Sequence, residues 1–183
     1  MLIAQRTGRW TLAELDRLPT DSNKYELVDG ELFVTPAPSH AHERLATVLH
    51  GILFPYVLEH RLGSIYRPRA VIRTSDSEVE PDLMVRPDTP QPEVKWESVP
   101  MPSLVVEVLS RTTGRRDKSE KRTFYLRCGI PEYWIVDGVQ RCIRVITSHS
   151  ADVVEDQQLL WRPLSEQAPL AIDVVAYFRE ALG

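Results

Sequence analysis

Short apolar blocks separated by polar punctuation run along the 183-residue chain, and each predicts an element. "WTLAELDRLP" has the spacing of a short helix with Trp10, Leu12 and Leu15 turned inward. "KYELVDGELFVTP" places two apolar strands around Asp29-Gly30, a strong hairpin signal. In "SHAHERLATVLHGILFPYVLEHRLG", Leu45, Val48, Leu49, Ile52, Leu53, Tyr56 and Val57 recur at helical spacing, with Pro55 predicted to kink the helix and Gly63 to end it. Strands are predicted in "SIYRPRAVIRT", "EVEPDLMVR", "SLVVEVLS", "EYWIVD", "RCIRVITS" and "QQLLW". Helices are predicted in "GRRDKSEKRTFYLRCG", closed by a left-handed Gly129, and in "VVAYFREAL". Five prolines in "PDTPQPEVKWESVPMP" read as a rigid surface loop crossing near the sheet. The order predicts one α/β domain over residues 1–183 with a mixed sheet and no linker.

One strand breaks the pattern. "SLVVEVLS" is apolar enough for burial on both faces, yet it carries Glu107. An unpaired charge there costs several kcal/mol, so the carboxylate needs a partner. Composition narrows the choice of partner little: 43% of residues are hydrophobic and 26% charged, with a net charge of -4. Any contact with nucleic acid must therefore come from a local patch. The segment 111–127 supplies one, with seven basic residues (Arg111, Arg115, Arg116, Lys118, Lys121, Arg122, Arg127) against Asp117 and Glu120. Cys128 and Cys142 lack metal-type spacing, and no apolar run reaches the length of a signal peptide or a membrane span. These features predict a reducing, cytoplasmic setting without membrane contact.

Three local readings converge on Glu107. By the two-residue period of a strand it shares a face with Val105 and Leu109. Asp82 follows Pro81 at the start of another strand, where a carboxylate can face a groove. On the next helix Asp117, Lys121, Tyr125 and Cys128 form one stripe, which brings Lys121 toward the end of the Glu107 strand. Two carboxylates and an amine at a strand end suit Mg²⁺, a hard cation held by one or two carboxylates plus water and phosphate oxygens. The ion polarises a phosphoryl group and acidifies bound water, while the ammonium stabilises developing negative charge.

Taken in order, "YELVDGEL", "PDLMV", "VVEVLS", "DKSEKRTFY" and "GIPEYWIVD" resemble the Uma-two family of restriction-endonuclease-like proteins, within the PD-(D/E)XK nuclease superfamily. The resemblance runs from about Trp10 to Ile146. It implies an α/β restriction-endonuclease-like fold: a four-stranded mixed core sheet flanked by helices, here with an added N-terminal hairpin and C-terminal strands. It also implies a Mg²⁺ or Mn²⁺ site and DNA as substrate. The carboxylate pattern falls on Asp82 and Glu107, the carbonyl of Val108 is implied as a further metal ligand, and Glu26 matches a family acidic position. The superfamily lysine would stand at residue 109, which is Leu109, so the amine is expected from the following helix at Lys121.

Plainer readings stand beside these. Asp82 can serve a turn after Pro81, Glu107 can pair with Arg69 or Arg73, and Lys121 can pair with Asp117 while Lys118 supplies the amine. Glu26 can be an exposed hairpin glutamate; His42 can meet a phosphate or water at its helix start, or simply be solvated. Tyr125, Tyr133 and Trp134 read as packing aromatics. Two rival functions follow: a nucleic-acid-binding or regulatory module of the same fold without catalysis, or a structural protein that forms a homodimer through the apolar sheet edge of "CIRVITS" or "QQLLW".

Overall fold

The hairpin forms as its turn residues demand. Strand β1 (Lys24–Val28) pairs antiparallel with β2 (Glu31–Thr35), and both turn residues lie in the left-handed region, Asp29 at φ 52° and Gly30 at φ 81°. The structure is a computed structural model that describes residues 8–90, 93–110 and 119–183. A one-turn helix α1 (Leu12–Leu15), closed by a capping box between Thr11 and Glu14, precedes the hairpin and buries Leu15. Helix α2 (His40–Glu59) is capped by Ser39 and continues through Pro55. It ends at Glu59, four residues before the expected stop; Arg61 (φ 51°) and Gly63 (φ 113°) then turn the chain into β3 (Ser64–Tyr66).

Two expected strands each split at a proline. "SIYRPRAVIRT" becomes β3 and β4 (Ile72–Arg73) on either side of Pro68, and "EVEPDLMVR" becomes β5 (Glu78–Val79) and β6 (Leu83–Arg86) on either side of Pro81. Proline cannot donate to a ladder, so each run leaves one sheet there and resumes in another. The remaining elements are β7 (Leu104–Val108), α3 (Glu120–Arg127), β8 (Glu132–Asp137), β9 (Cys142–Thr147), β10 (Val153–Glu155), β11 (Gln158–Trp161), β12 (Leu170–Asp173) and α4 (Val174–Leu182). The larger sheet has six strands in the order β10-β9-β8-β7-β6-β3, two more than the implied core of four. It is mixed, because β7 and β8 run parallel while the other pairs are antiparallel. The hairpin belongs to a second sheet, β2-β1-β5-β4, and β11 pairs with β12. Strand β9, expected at an apolar edge, lies between β8 and β10, so β10 forms that edge.

Burial follows the strand period. Leu104, Val106 and Val108 pack with Trp134, Val136 and residues of α2 and α4 on one face of the larger sheet. Val105 packs on the opposite face with Tyr133 and Ile135, Phe124 and Tyr125 of α3, and Val28, Ile72 and Val79 of the smaller sheet. Glu107 therefore looks into the layer between the larger sheet and α3. The proline-rich loop is tied down by Arg86, whose buried guanidinium donates to the carbonyls of Val71, Val99 and Pro100 at 2.9, 2.7 and 2.8 Å. Trp96, in its single 3₁₀ turn, lies against the same guanidinium. No helix among the described residues is long and apolar enough to cross a membrane.

Candidate active site

Lys24, Glu26 and Val28 alternate with Tyr25 and Leu27, so the three share the face of β1 turned toward α3. Across Pro81, Glu80 and Asp82 likewise fall on one side of the chain. In the ladder Leu83 pairs with Val106, and continuing that register sets Asp82 opposite Glu107. Four carboxylates from two sheets thus meet at one seam, and each is buried: Glu26 0%, Glu80 7%, Asp82 5% and Glu107 2% exposed.

Two ammonium groups enter the cluster. Lys121, on the first turn of α3, is wholly buried and lies 2.6 Å from Glu107 Oε1 and 2.8 Å from Glu26 Oε1. The Tyr125 hydroxyl, one helical turn later, also donates to Glu107 Oε1 at 2.6 Å. Glu26 Oε1 accepts in addition from the Glu80 amide at 2.9 Å, which stitches β1 to the chain just before Pro81. The second ammonium belongs to Lys24, which donates to the Glu80 carbonyl at 2.9 Å and to Asp82 Oδ1 at 3.3 Å. Asp82 Oδ2 accepts the Val108 amide at 2.8 Å and lies 3.0 Å from His42 Nε2. His42 Nδ1 is buried without a hydrogen-bond partner.

Charge settles the protonation of these groups. Burial would raise the pKa of Asp82, but Lys24, the His42 hydrogen bond and Lys121 outweigh it and hold the carboxyl well below its usual range. Burial would lower Lys24, and the fields of Glu26, Asp82, Glu107 and Glu80 reverse that and push it up. For His42 burial also pulls down, yet Asp82 raises the imidazole on balance. Glu80 is raised, mainly by burial. The Tyr125 hydroxyl is pushed far up by burial and by Glu107, so it stays protonated and donates.

A cavity of about 820 Å³ opens onto part of this cluster. Lys24, His42, Glu80, Asp82, Glu107 and Val108 line one end; the rest mixes apolar side chains such as Pro36, Leu45 and Leu182 with polar ones, among them Glu43, Arg69 and Asp137. Lys121 and Glu26 are not at its wall; both lie sealed behind Glu107. The structure brings Asp82, Glu107, Lys121, Glu26 and Val108 together, with different exposures. The Val108 amide donates to Asp82. Arg73 pairs with Asp16 and Glu78, and Arg69 binds the carbonyls of Asp21 and Asn23 and lies 3.6 Å from Glu80. Lys24 and Glu80 carried no expectation; a cation two residues before Glu26 and an acid two before Asp82 are the signals that mark them.

The basic segment is less available than its count implies. Lys121 is consumed by the cluster, Arg122 pairs with Asp152, and Arg127 pairs with Asp29. Arg111, Arg115, Arg116, Asp117 and Lys118 lie outside the described residues, and with them the Asp117–Lys121 pair and the first member of the expected stripe.

Among the described residues no three His, Cys, Asp or Glu side chains are arranged to hold a metal ion on their own. Mg²⁺ requires less, since it binds through one or two carboxylates and keeps water and substrate oxygens in its remaining positions. Asp82 and Glu107 present hard oxygen donors at one cavity wall, in a cluster where four carboxylates face two ammonium groups. The donor set fits a hard divalent ion held by two carboxylates and does not fit an all-protein cage.

Residues 12–174 match the family described as "Uma2: Putative restriction endonuclease". An uncharacterized protein of Synechocystis sp., sll1609, is 32% identical over 175 residues, covering 93% of this chain and 96% of its own. The fold is similar to the crystal structure of a "putative nuclease belonging to DUF820" from Anabaena variabilis, with a TM-score of 0.77 at 18% identity, covering 94% of this chain and 99% of that one. A mixed central sheet flanked by helices, with a hairpin added before it and strands after it, is thus a restriction-endonuclease-like architecture.

Proposed function

The chain belongs to the Uma2 family of restriction-endonuclease type, and from that premise we propose that it is a Mg²⁺- or Mn²⁺-dependent endonuclease that hydrolyses phosphodiester bonds in DNA. One observation carries the reading. Asp82 and Glu107, from neighbouring strands, line the same end of one cavity, and a buried lysine rests on Glu107.

Hydrolysis forms a bond from a water oxygen to phosphorus and breaks one P–O ester bond, and the departing oxygen takes up a proton. Asp82 and Glu107 would hold the ion, which when bound supplies Lewis-acid polarisation of the phosphoryl oxygen and an acidified water. Lys121 balances the charge of Glu107 and fixes one of its oxygens, with Tyr125 as second donor; Glu26 holds Lys121 in turn. Sealed behind Glu107, Lys121 and Glu26 act here as positioning residues rather than by touching the phosphate. The Val108 amide and His42 orient Asp82.

The test is cleavage of plasmid and single-stranded DNA by the purified protein. Mn²⁺ or Mg²⁺ should support cleavage, EDTA should abolish it, and Glu107→Gln should lower it by at least about 100-fold. Unchanged activity in Glu107→Gln would discard the assignment. A second reading, a nucleic-acid-binding module without catalysis, is favoured by a specific observation: both oxygens of Asp82 already have partners. Binding of DNA that persists in EDTA, with no cleavage under any divalent ion, would select it.

A further inference from the structure

The two lysines of the cluster differ in what they can reach. Lys121 is 0% exposed and enclosed between Glu26 and Glu107. Lys24 lines the cavity, its side chain is 16% exposed, and one carboxylate oxygen of Asp82 is its anionic contact at 3.3 Å. The other polar contact of its ammonium is a neutral carbonyl, that of Glu80. A divalent ion seeking Asp82 therefore meets a tethered cation already there. Oδ2 of Asp82 already holds His42 and the Val108 amide, and Oδ1 cannot take an ammonium and a divalent ion together without strong repulsion in a site this buried. Lysine has a flexible four-carbon stem, so its head can leave Asp82 without moving β1.

An ammonium expelled into the cavity needs another anion. On the wall it lines, Glu80 already lies 3.6 Å from Arg69, and Asp82 and Glu107 would be engaged by the ion, so the new partner is one the ligand brings: a phosphate oxygen. Resting on the nuclease reading above, we propose that Lys24 is a displaceable counter-ion that holds Asp82 in the metal-free protein, gives way to the divalent ion, and transfers to a phosphate oxygen of the substrate. Lys24, and not the enclosed Lys121, is then the lysine that touches substrate. Metal and phosphate ester bind synergistically, because each removes the obstacle to the other. By linkage the coupling is reciprocal: phosphate tightens metal by the same factor that metal tightens phosphate.

The experiment is Mn²⁺ binding to the full chain by calorimetry, with and without thymidine 3′,5′-bisphosphate, which has no diester to cleave. In the wild type the bisphosphate should tighten Mn²⁺ by about fivefold or more. In Lys24→Met, Mn²⁺ alone should bind about fivefold or more tighter than to the wild type, and the bisphosphate should tighten it further by less than it does in the wild type. Lys24→Gln, which keeps a donor for the Glu80 carbonyl, should behave as Lys24→Met does and guards against a folding defect in either variant. Wild-type protein that binds Mn²⁺ without coupling, or a folded Lys24 variant that binds it no tighter, overturns this proposal and leaves the nuclease reading standing. Wild-type protein that binds no Mn²⁺ at all overturns both.

Discussion

Lys121 reaches Glu107 from the helix that follows its strand, closing to 2.6 Å across 14 residues of sequence. Residue 109, two places after Glu107, is a leucine packed into the apolar layer with Phe124 and Tyr125. The amine has a different backbone address but still ends against the strand's carboxylate, since only the position of the ammonium matters to the charge it balances. Because the lysine lies between two buried acids, it is also a structural cation.

Removing that cation strands two negative charges. Lys121→Met should cost about 3–5 kcal/mol of stability, the usual loss when one partner of a buried ion pair is deleted. The double variant Lys121→Met/Glu107→Gln should recover a large part of it. Urea denaturation of the three proteins checks both statements, and a single variant as stable as the wild type would refute them.

Tyr125→Phe tests the second donor on Glu107. The ring still packs against Tyr133, while Glu107 Oε1 loses the hydroxyl at 2.6 Å. A hydrogen bond to a charged group contributes about 1.5–3 kcal/mol, so the melting temperature should fall by several degrees. DNA cleavage should fall with the orientation of Glu107, by about tenfold or more, as for a residue that holds a metal ligand in place.

Glu132 predicts a pH dependence away from the site. Burial raises its pKa, and the Trp134 indole N–H, which donates to it at 2.6 Å, only partly offsets that. A carboxyl whose folded pKa is raised binds its proton more tightly in the native state. Its contribution is therefore most favourable at acid pH and is lost as pH rises from the unfolded value through the folded one. Glu132→Gln should raise the melting temperature at about pH 7 and change it little below about pH 4. An equal effect at both would contradict the charge account.

Gly63 sits at φ 113°, and a β-carbon there would lie 2.0 Å from the Arg86 carbonyl oxygen. Gly63→Ala must therefore displace β6, where Arg86 also anchors the proline-rich loop. We expect destabilisation of about 3 kcal/mol or more, read as a drop of roughly 6 °C or greater in melting temperature.

Legibility followed the range of the interactions involved. The hairpin could be read because Asp29-Gly30 encodes its own turn, and the Glu107–Lys121 meeting because strand and helix periods are local. The splitting of two strands was hidden. Apolar residues continue on both sides of Pro68 and Pro81, and local pattern does not say which sheet each half will join. Lys24 was invisible as a site residue for a related reason. Its partners lie 56 and 58 residues away, and the contact exists only once the smaller sheet docks on the larger. The short strands β10 and β12 are set by pairing with neighbours rather than by composition of their own.

Between Val79 and Leu83 the chain passes from one sheet to the other, and Glu80 and Asp82 ride on that step. Neither sheet alone assembles the whole charged centre: the larger, with α3, holds Glu107 against Lys121, and the smaller brings Lys24 and Glu26 to them. Whatever reaction this centre performs requires both sheets docked, so a molecule with the two apart is an unarmed one.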